Sequence, residues 1–223
     1  MFDIFMSNTF FIHHIEMIIK TLHKLTPEQK KELKKGVVEV EGKAMNRTAL
    51  GVVAAIFKVY PNITFAELKE MLPDTLNPSA PKNYKSLFKP YTERLYGVVQ
   101  PGTIRQECKD QDLDINASHF TEADETFKTS DGIEVLVSRT WESSDTESGN
   151  NDLQILVDHV AEYGIRVVSW ESKKPFKRGE YSLEVINPTL IHQIQNPQKK
   201  SLLWLWILLA AAAGAAIYFL IKK

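Results

Sequence analysis

One cysteine, Cys108, is all that the 223 residues contain, so no internal disulfide can form and a reducing compartment suits the chain. The six histidines offer no H-x-x-x-H or H-E-x-x-H spacing, only the adjacent His13-His14, which removes the common helical zinc patterns. No phosphate-cradling glycine loop is present, so a nucleotide hydrolase is unsupported. Neither cofactor nor metal is expected. A secretory leader is missing as well: the chain opens MFDIFMSNTF, with Asp3 early and no basic stretch before an apolar run. The bulk is therefore expected to stay inside. On that reading the sequons at Asn46, Asn62 and Asn116 carry no meaning.

Charge is absent over one long run. Leu202 to Ile221 reads LLWLWILLAAAAGAAIYFLI, and at ~1.5 Å of rise per residue a helix of this length spans a hydrocarbon core of roughly 30 Å. Trp204 and Trp206 at one end and Tyr218 at the other suit the headgroup level, and Lys199, Lys200, Lys222 and Lys223 bracket the span. The sequence thus predicts a C-terminal transmembrane helix on a tail-anchored, single-pass protein. Its location would be the inner (cytoplasmic) membrane, with the N-terminal domain in the cytoplasm and the lipid bilayer as a partner. Lys173, Lys174, Lys177 and Arg178 tilt the charge bias the same way. Ala210, Ala211, Gly214 and Ala215 are small residues at four-residue spacing, a pattern that permits self-association through the span.

What precedes that run is polar and segregated in charge. The net charge is −1, yet residues 20–58 carry nine Lys/Arg against four acids and residues 106–152 carry three against thirteen. A polyanion would meet the first region and be repelled by the second. The division expected is an uncertain segment 1–25, a helical unit 26–105, a small α+β domain 106–187, a stalk 188–200 and the anchor 201–223. In the first segment Asp3, Asn8, His13, His14 and Glu16 interrupt every apolar run, and Met6 and Met17 are alternative starts.

Helix signals begin at Thr26-Pro27-Glu28-Gln29, a cap, a first-turn proline and a glutamine three residues on, with Gly36 as the stop. Val37–Glu41 alternates and reads as a short strand at best. Asn46 is placed as the cap of a core helix over ALGVVAAIFKVY that Pro61 closes. Thr64 and Glu67 then form a capping box for a second helix stopped by Pro73. Asn83–Tyr96, broken at Pro90, gives a third helix, so the unit reads as helix-turn-helix or winged-helix-like. That third helix carries Lys82, Lys85, Lys89 and Arg94, interleaved with Tyr84, Phe88 and Tyr91, and is the candidate surface for a nucleic acid or protein partner.

Strands follow. Val98-Val99 ends at Pro101-Gly102, and Asp110–Ser118 reads as an acidic loop. It fails as a calcium loop because Ile115 stands where glycine is needed and Thr121 where a bidentate glutamate is needed. Ser130-Asp131-Gly132 turns a hairpin, Leu153–Tyr163 forms a helix closed by Gly164, and Ile165–Trp170 and Tyr181–Ile186 complete a small mixed sheet with one packed helix.

The segments Asn62-Ile63-Thr64-Phe65-Ala66-Glu67-Leu68, Gly97-Val98-Val99, Thr129-Ser130-Asp131-Gly132 and Tyr163-Gly164-Ile165 resemble a winged-helix-like module of bacterial restriction and mobile-element proteins, over about residues 46–168. The resemblance implies a bacterial host and a recognition role and supplies no reaction. That family's usual setting is soluble, from which the apolar C-terminal run departs.

A restriction-type nuclease needs an acidic residue plus E-x-K on adjacent strands, so that carboxylates hold a metal while lysine polarises the phosphate. E-x-K matches include those beginning at Glu41, Glu67, Glu107 and Glu171. Only Glu171-Ser172-Lys173 follows a credible strand, with Asp131 as the nearest partner carboxylate. The sequence therefore favours a non-enzymatic recognition domain that binds a partner or nucleic acid. The alternatives are a membrane-tethered metal-dependent nuclease, or a defence-type membrane effector whose soluble part is the sensor.

Overall fold

A computed structural model describes residues 22, 25–78, 97–141, 152–176 and 180–196. In chain order these form α1 (Pro27–Lys34), β1 (Val38–Gly42), α2 (Met45–Val59), α3 (Phe65–Met71), β2 (Val99–Pro101), α4 (Ile104–Asp110), α5 (Ile115–Ser118), β3 (Phe127–Lys128), β4 (Glu134–Val137), α6 (Asp152–Val160), β5 (Ile165–Ser169), β6 (Tyr181–Val185) and α7 (Pro188–Gln195). The fold is α+β, with two small sheets.

The first sheet has the order β5-β1-β6, with β5 parallel and β6 antiparallel to β1. Its centre is the strand that the sequence marks most weakly. Val38 and Val40 point inward, fully buried, and Glu39 and Glu41 point outward, as the period of two requires. α2 lies across the inner face, in contact with all three strands. Gly51 permits that approach, since a Cβ there would stand 2.9 Å from Val40 Cγ1. Leu50, Val52, Val53, Ile56 and Val59 of α2 are fully buried, and each such side chain contributes about 1.5–3 kcal/mol of transfer free energy.

The second sheet, β2-β4-β3, is antiparallel throughout. Val135 and Val137 join the main core, while Leu136 faces the other way into a small cluster with Ile104 and Cys108 of α4. Phe127 of β3 stacks on Phe57 of α2, ring centroids 5.0 Å apart. At the hairpin tip Asp131 accepts a hydrogen bond from the Phe65 N–H at 3.1 Å, so the turn also caps α3. The two sheets meet around Phe120, fully buried, with the guanidinium of Arg47 (α2) 4.7 Å from its ring centroid and that of Arg139 at 5.2 Å. Arg47 is held by Glu125 and by Glu180, the latter also bound by Lys43 at 2.7 Å.

Several local signals are realised as read. Thr26 and Thr64 both close capping boxes, with Gln29 and Glu67. Others shift. α2 begins one residue before Asn46, with Ala44 as an N-cap that has no side-chain acceptor. The acidic loop 110–118 is largely helical, because Ile104, Cys108, Leu113 and Ile115 have the second face of β4 to cover. Residues 188–195 of the expected stalk are α7, capped by Asn187 and docked on α2 through Leu190, Ile191 and Ile194.

The expected C-terminal transmembrane helix is corrected here. Among the described residues no helix is long and apolar enough to cross a membrane. α2, at 15 residues, would reach only ~22 Å, short of the roughly 30 Å a hydrocarbon core demands, and its apolar surface is spent on the sheet. Leu202–Ile221 lies outside the described residues, as do Trp204, Trp206, Tyr218, Lys199, Lys200, Lys222, Lys223, Ala210, Ala211, Gly214 and Ala215. The membrane and tail-anchored descriptions are set aside.

Gly164 joins α6 to β5 at φ +82°, and a Cβ there would fall 2.5 Å from Leu33 Cδ1 and 2.9 Å from Val37 Cγ2. Gly164→Ala is expected to destabilise by about 2–4 kcal/mol, the sum of left-handed backbone strain and overpacking. Gly132→Ala, at φ +84° in open space, should cost only about 1–2 kcal/mol. Urea unfolding midpoints of the two variants check the difference.

Candidate functional site

Lys82, Lys85, Lys89 and Arg94, the expected partner-binding side chains, lie outside the described residues. The described chain stops at Pro78 and resumes at Gly97, beside a compact polar junction. Lys69 of α3 binds the Asp74 carboxylate and donates to the Val99 carbonyl at 3.4 Å, and Asn77 Nδ2 donates to the Thr140 carbonyl at 2.8 Å. Asn77 Oδ1 and Gln100 Nε2 are buried there without a hydrogen-bond partner among the described residues.

The E-x-K matches at Glu41, Glu67, Glu107 and Glu171 each resolve into structure. Glu67 is buried in the α3 capping box, accepting from the Thr64 N–H and hydroxyl at 2.9 Å, while Lys69 turns to Asp74. Glu107 and Lys109 lie on α4. Glu41-Gly42-Lys43 sits on the central strand, but its lysine reaches Glu180 and its glutamate is bound by Lys174 and Ser172. Glu171-Ser172-Lys173 does follow β5, and its middle residue is what reaches Glu41. Asp131, the partner assigned to it, is occupied at the N-terminus of α3. Among the described residues no group of three or more His, Cys, Asp or Glu side chains is placed to hold a metal ion. Cys108 is buried, and burial followed by the charges of Glu107 and Asp114 pushes its thiol up, away from a nucleophile.

Among the described residues one surface has no helix packed on it: the outer face of the first sheet. α2 and α6 contact each other and both touch the sheet, so they form one layer on its inner side. Along the outer face Glu39 lies between Arg166 and Glu184, and Glu41 between Ser169 and Ser182. Arg166 pairs with Glu39; Lys174 reaches Glu41 at 2.8 Å and Ser172 Oγ donates to it at 2.7 Å. The Lys174 ammonium, then the Ser172 hydroxyl, hold the Glu41 carboxyl below the usual range, and the same contact raises the Lys174 pKa. Glu184 makes no ion pair among the described residues. Val168 (48% exposed), Val185 (39%) and Ile186 (45%) are the exposed large hydrophobics of the described chain: Val168 is on β5, Val185 is on the inner face of β6, and Ile186 directly follows β6. The alternation of β1 and the apolar Val168 were visible in the sequence, but nothing local marked them as neighbours.

His119, which no sequence spacing singled out, is the most perturbed histidine. It bridges Ser138 beside β4 and is fully buried. Ser118 Oγ donates to the Ile115 carbonyl at 3.2 Å and lies 2.8 Å from His119 Nδ1, which assigns the proton of the neutral ring to Nδ1. Nε2 has no partner among the described residues, and burial lowers the pKa from 6.5 to about 4. The unfolded chain therefore binds a proton that the folded chain refuses. Stability from this group is complete above the unfolded pKa and is lost as pH falls toward about 4, a loss of about 2 kcal/mol by about pH 5. His119→Gln is expected to flatten the stability slope between about pH 6.5 and 5, ahead of carboxylate titration; urea unfolding across that range measures it.

No protein-family model, no curated protein and no solved structure matches the chain.

Proposed function

We propose that the described part of the chain is a recognition module that binds a protein partner on the outer face of its first sheet. The observation that carries this reading is the exposure of Val168 on β5 and of Ile186 just after β6, with Glu184, two residues before Ile186, making no ion pair among the described residues. Apolar side chains at the rim of a polar, ion-paired surface supply desolvation energy, and an unpaired charge sets orientation. The partner that fits is a protein segment with apolar side chains and a lysine or arginine. A polyanion fits poorly: Glu39, Glu41 and Glu184 share this face with Arg166 and Lys174, whose charges are already engaged.

Peptides selected from a random display library on the full-length chain are expected to be basic and apolar. Each of Val168→Lys and Glu184→Lys should weaken their binding by about tenfold or more, about 1.4 kcal/mol, with the circular dichroism spectrum unchanged. Equal binding to wild type and both variants would overturn the proposal. So would salt-sensitive binding of a duplex DNA oligonucleotide that Glu184→Lys leaves unaltered.

A further inference from the structure

Among the described residues β6 is an edge strand, and it lacks the usual protection. Natural edges carry lysine, proline or a bulge that discourages further pairing, and Tyr-Ser-Leu-Glu-Val has none of these while pairing regularly with β1. The other edge, β5, differs: its register with β1 shifts at Val40/Glu41, and α6 and the turn after it pack beside it.

The backbone fixes what β6 presents. Lys43 N–H donates to the Glu180 carbonyl at 3.0 Å and Ile186 N–H to the Val37 carbonyl at 2.9 Å. In an antiparallel ladder hydrogen-bonded positions alternate, so Ser182 and Glu184 also turn their backbone groups to β1. The N–H and C=O groups of Tyr181, Leu183 and Val185 point away from the sheet. Val185 shares the inner face with Val38, yet is 39% exposed, and no strand among the described residues lies beyond it.

We propose that β6 pairs antiparallel with β6 of a second copy of this chain, about a two-fold axis at Leu183. Leu183 then faces Leu183 of the second copy, Tyr181 faces its Val185, and Ser182 faces its Glu184. Every outward N–H and C=O of the strand gains a partner. On the inner face an aromatic ring covers the exposed valine, and on the outer face a serine hydroxyl meets a carboxylate, both favourable cross-strand pairs. The neighbouring registers fail. Centring on Ser182 leaves the Val185 groups unpaired and sets Glu180 opposite Glu184; centring on Glu184 sets that carboxylate against its own copy. The contact is isologous and closes on itself, joining two three-stranded sheets into one continuous sheet. A single short strand pair buries less than the roughly 1,000 Å² of a stable interface, so the dimer is weak and forms at micromolar concentrations or above. This pairing rests on the backbone edge of β6 and not on the partner proposed for the outer face, although both use the Glu184 carboxylate.

The test uses two full-length chains in a Cys108→Ala background, one with Ser182→Cys and one with Glu184→Cys, both at exposed outer-face positions. The proposed register makes these residues a non-hydrogen-bonded pair with Cα atoms ~4.5 Å apart, within reach of a disulfide. Mild oxidation at high micromolar concentration should give covalent dimer in the mixture and none with either chain alone. Dimer from Ser182→Cys alone or from Glu184→Cys alone would mean a different register and overturn the proposal, as would a mixture that stays monomeric.

Discussion

The structure depends on burying one short strand on three sides. β1 has a neighbour along each edge and α2 across its inner face, so Val38 and Val40 lose all contact with water. Neither neighbour is local: Val38 pairs with Ile165 on one side and Val185 on the other. Loop-closure entropy rises only logarithmically with length, so such distant pairing costs little more than a nearer one, and buried valines and ladder hydrogen bonds offset it. Gly164 belongs to the same constraint, since its carbonyl accepts from Val37 N–H at 2.7 Å and fixes where β5 begins against β1.

That dependence explains what the sequence disclosed. Caps and turns are written locally, and Thr26, Thr64, Asp131-Gly132 and Gly164 mark true boundaries because their chemistry acts within a few residues. The importance of Val37–Glu41 is not local. Five alternating residues look like a marginal strand until partners more than a hundred residues away are known. Asn46 misled for a related reason: Ala44 caps α2 with no side-chain bond, and packing against the sheet sets the start of the helix. Of the candidate side chains read from the sequence, the basic set 82–94 and the C-terminal set fall outside the described residues. The outer face of the first sheet was hidden because Arg166, Glu39 and Glu184 become neighbours only through strand pairing.

Electrostatics divides the molecule into engaged and open charge. Arg47 and Arg139 flank Phe120 where the two sheets meet, and Arg47 is neutralised by Glu125 and Glu180, so these cations serve cohesion. Arg105 does the same for the second sheet, gripping Glu134 through two hydrogen bonds at 3.1 and 3.0 Å. The exposed Arg105–Glu134 pair is worth at most about 1 kcal/mol, so its larger effect is on orientation. On the outer face of the first sheet the cations are bound to Glu39 and Glu41, while Glu184 makes no ion pair among the described residues.

The role of β1 as the innermost strand is the claim on which these relations rest, and native-state hydrogen exchange tests it most directly. The amides of Val38 and Val40 are expected to exchange only with global unfolding, with free energies equal to the stability from denaturant unfolding. Exchange of those amides through local opening, as fast as that of the short hairpin strand at Phe127 and Lys128, would contradict it.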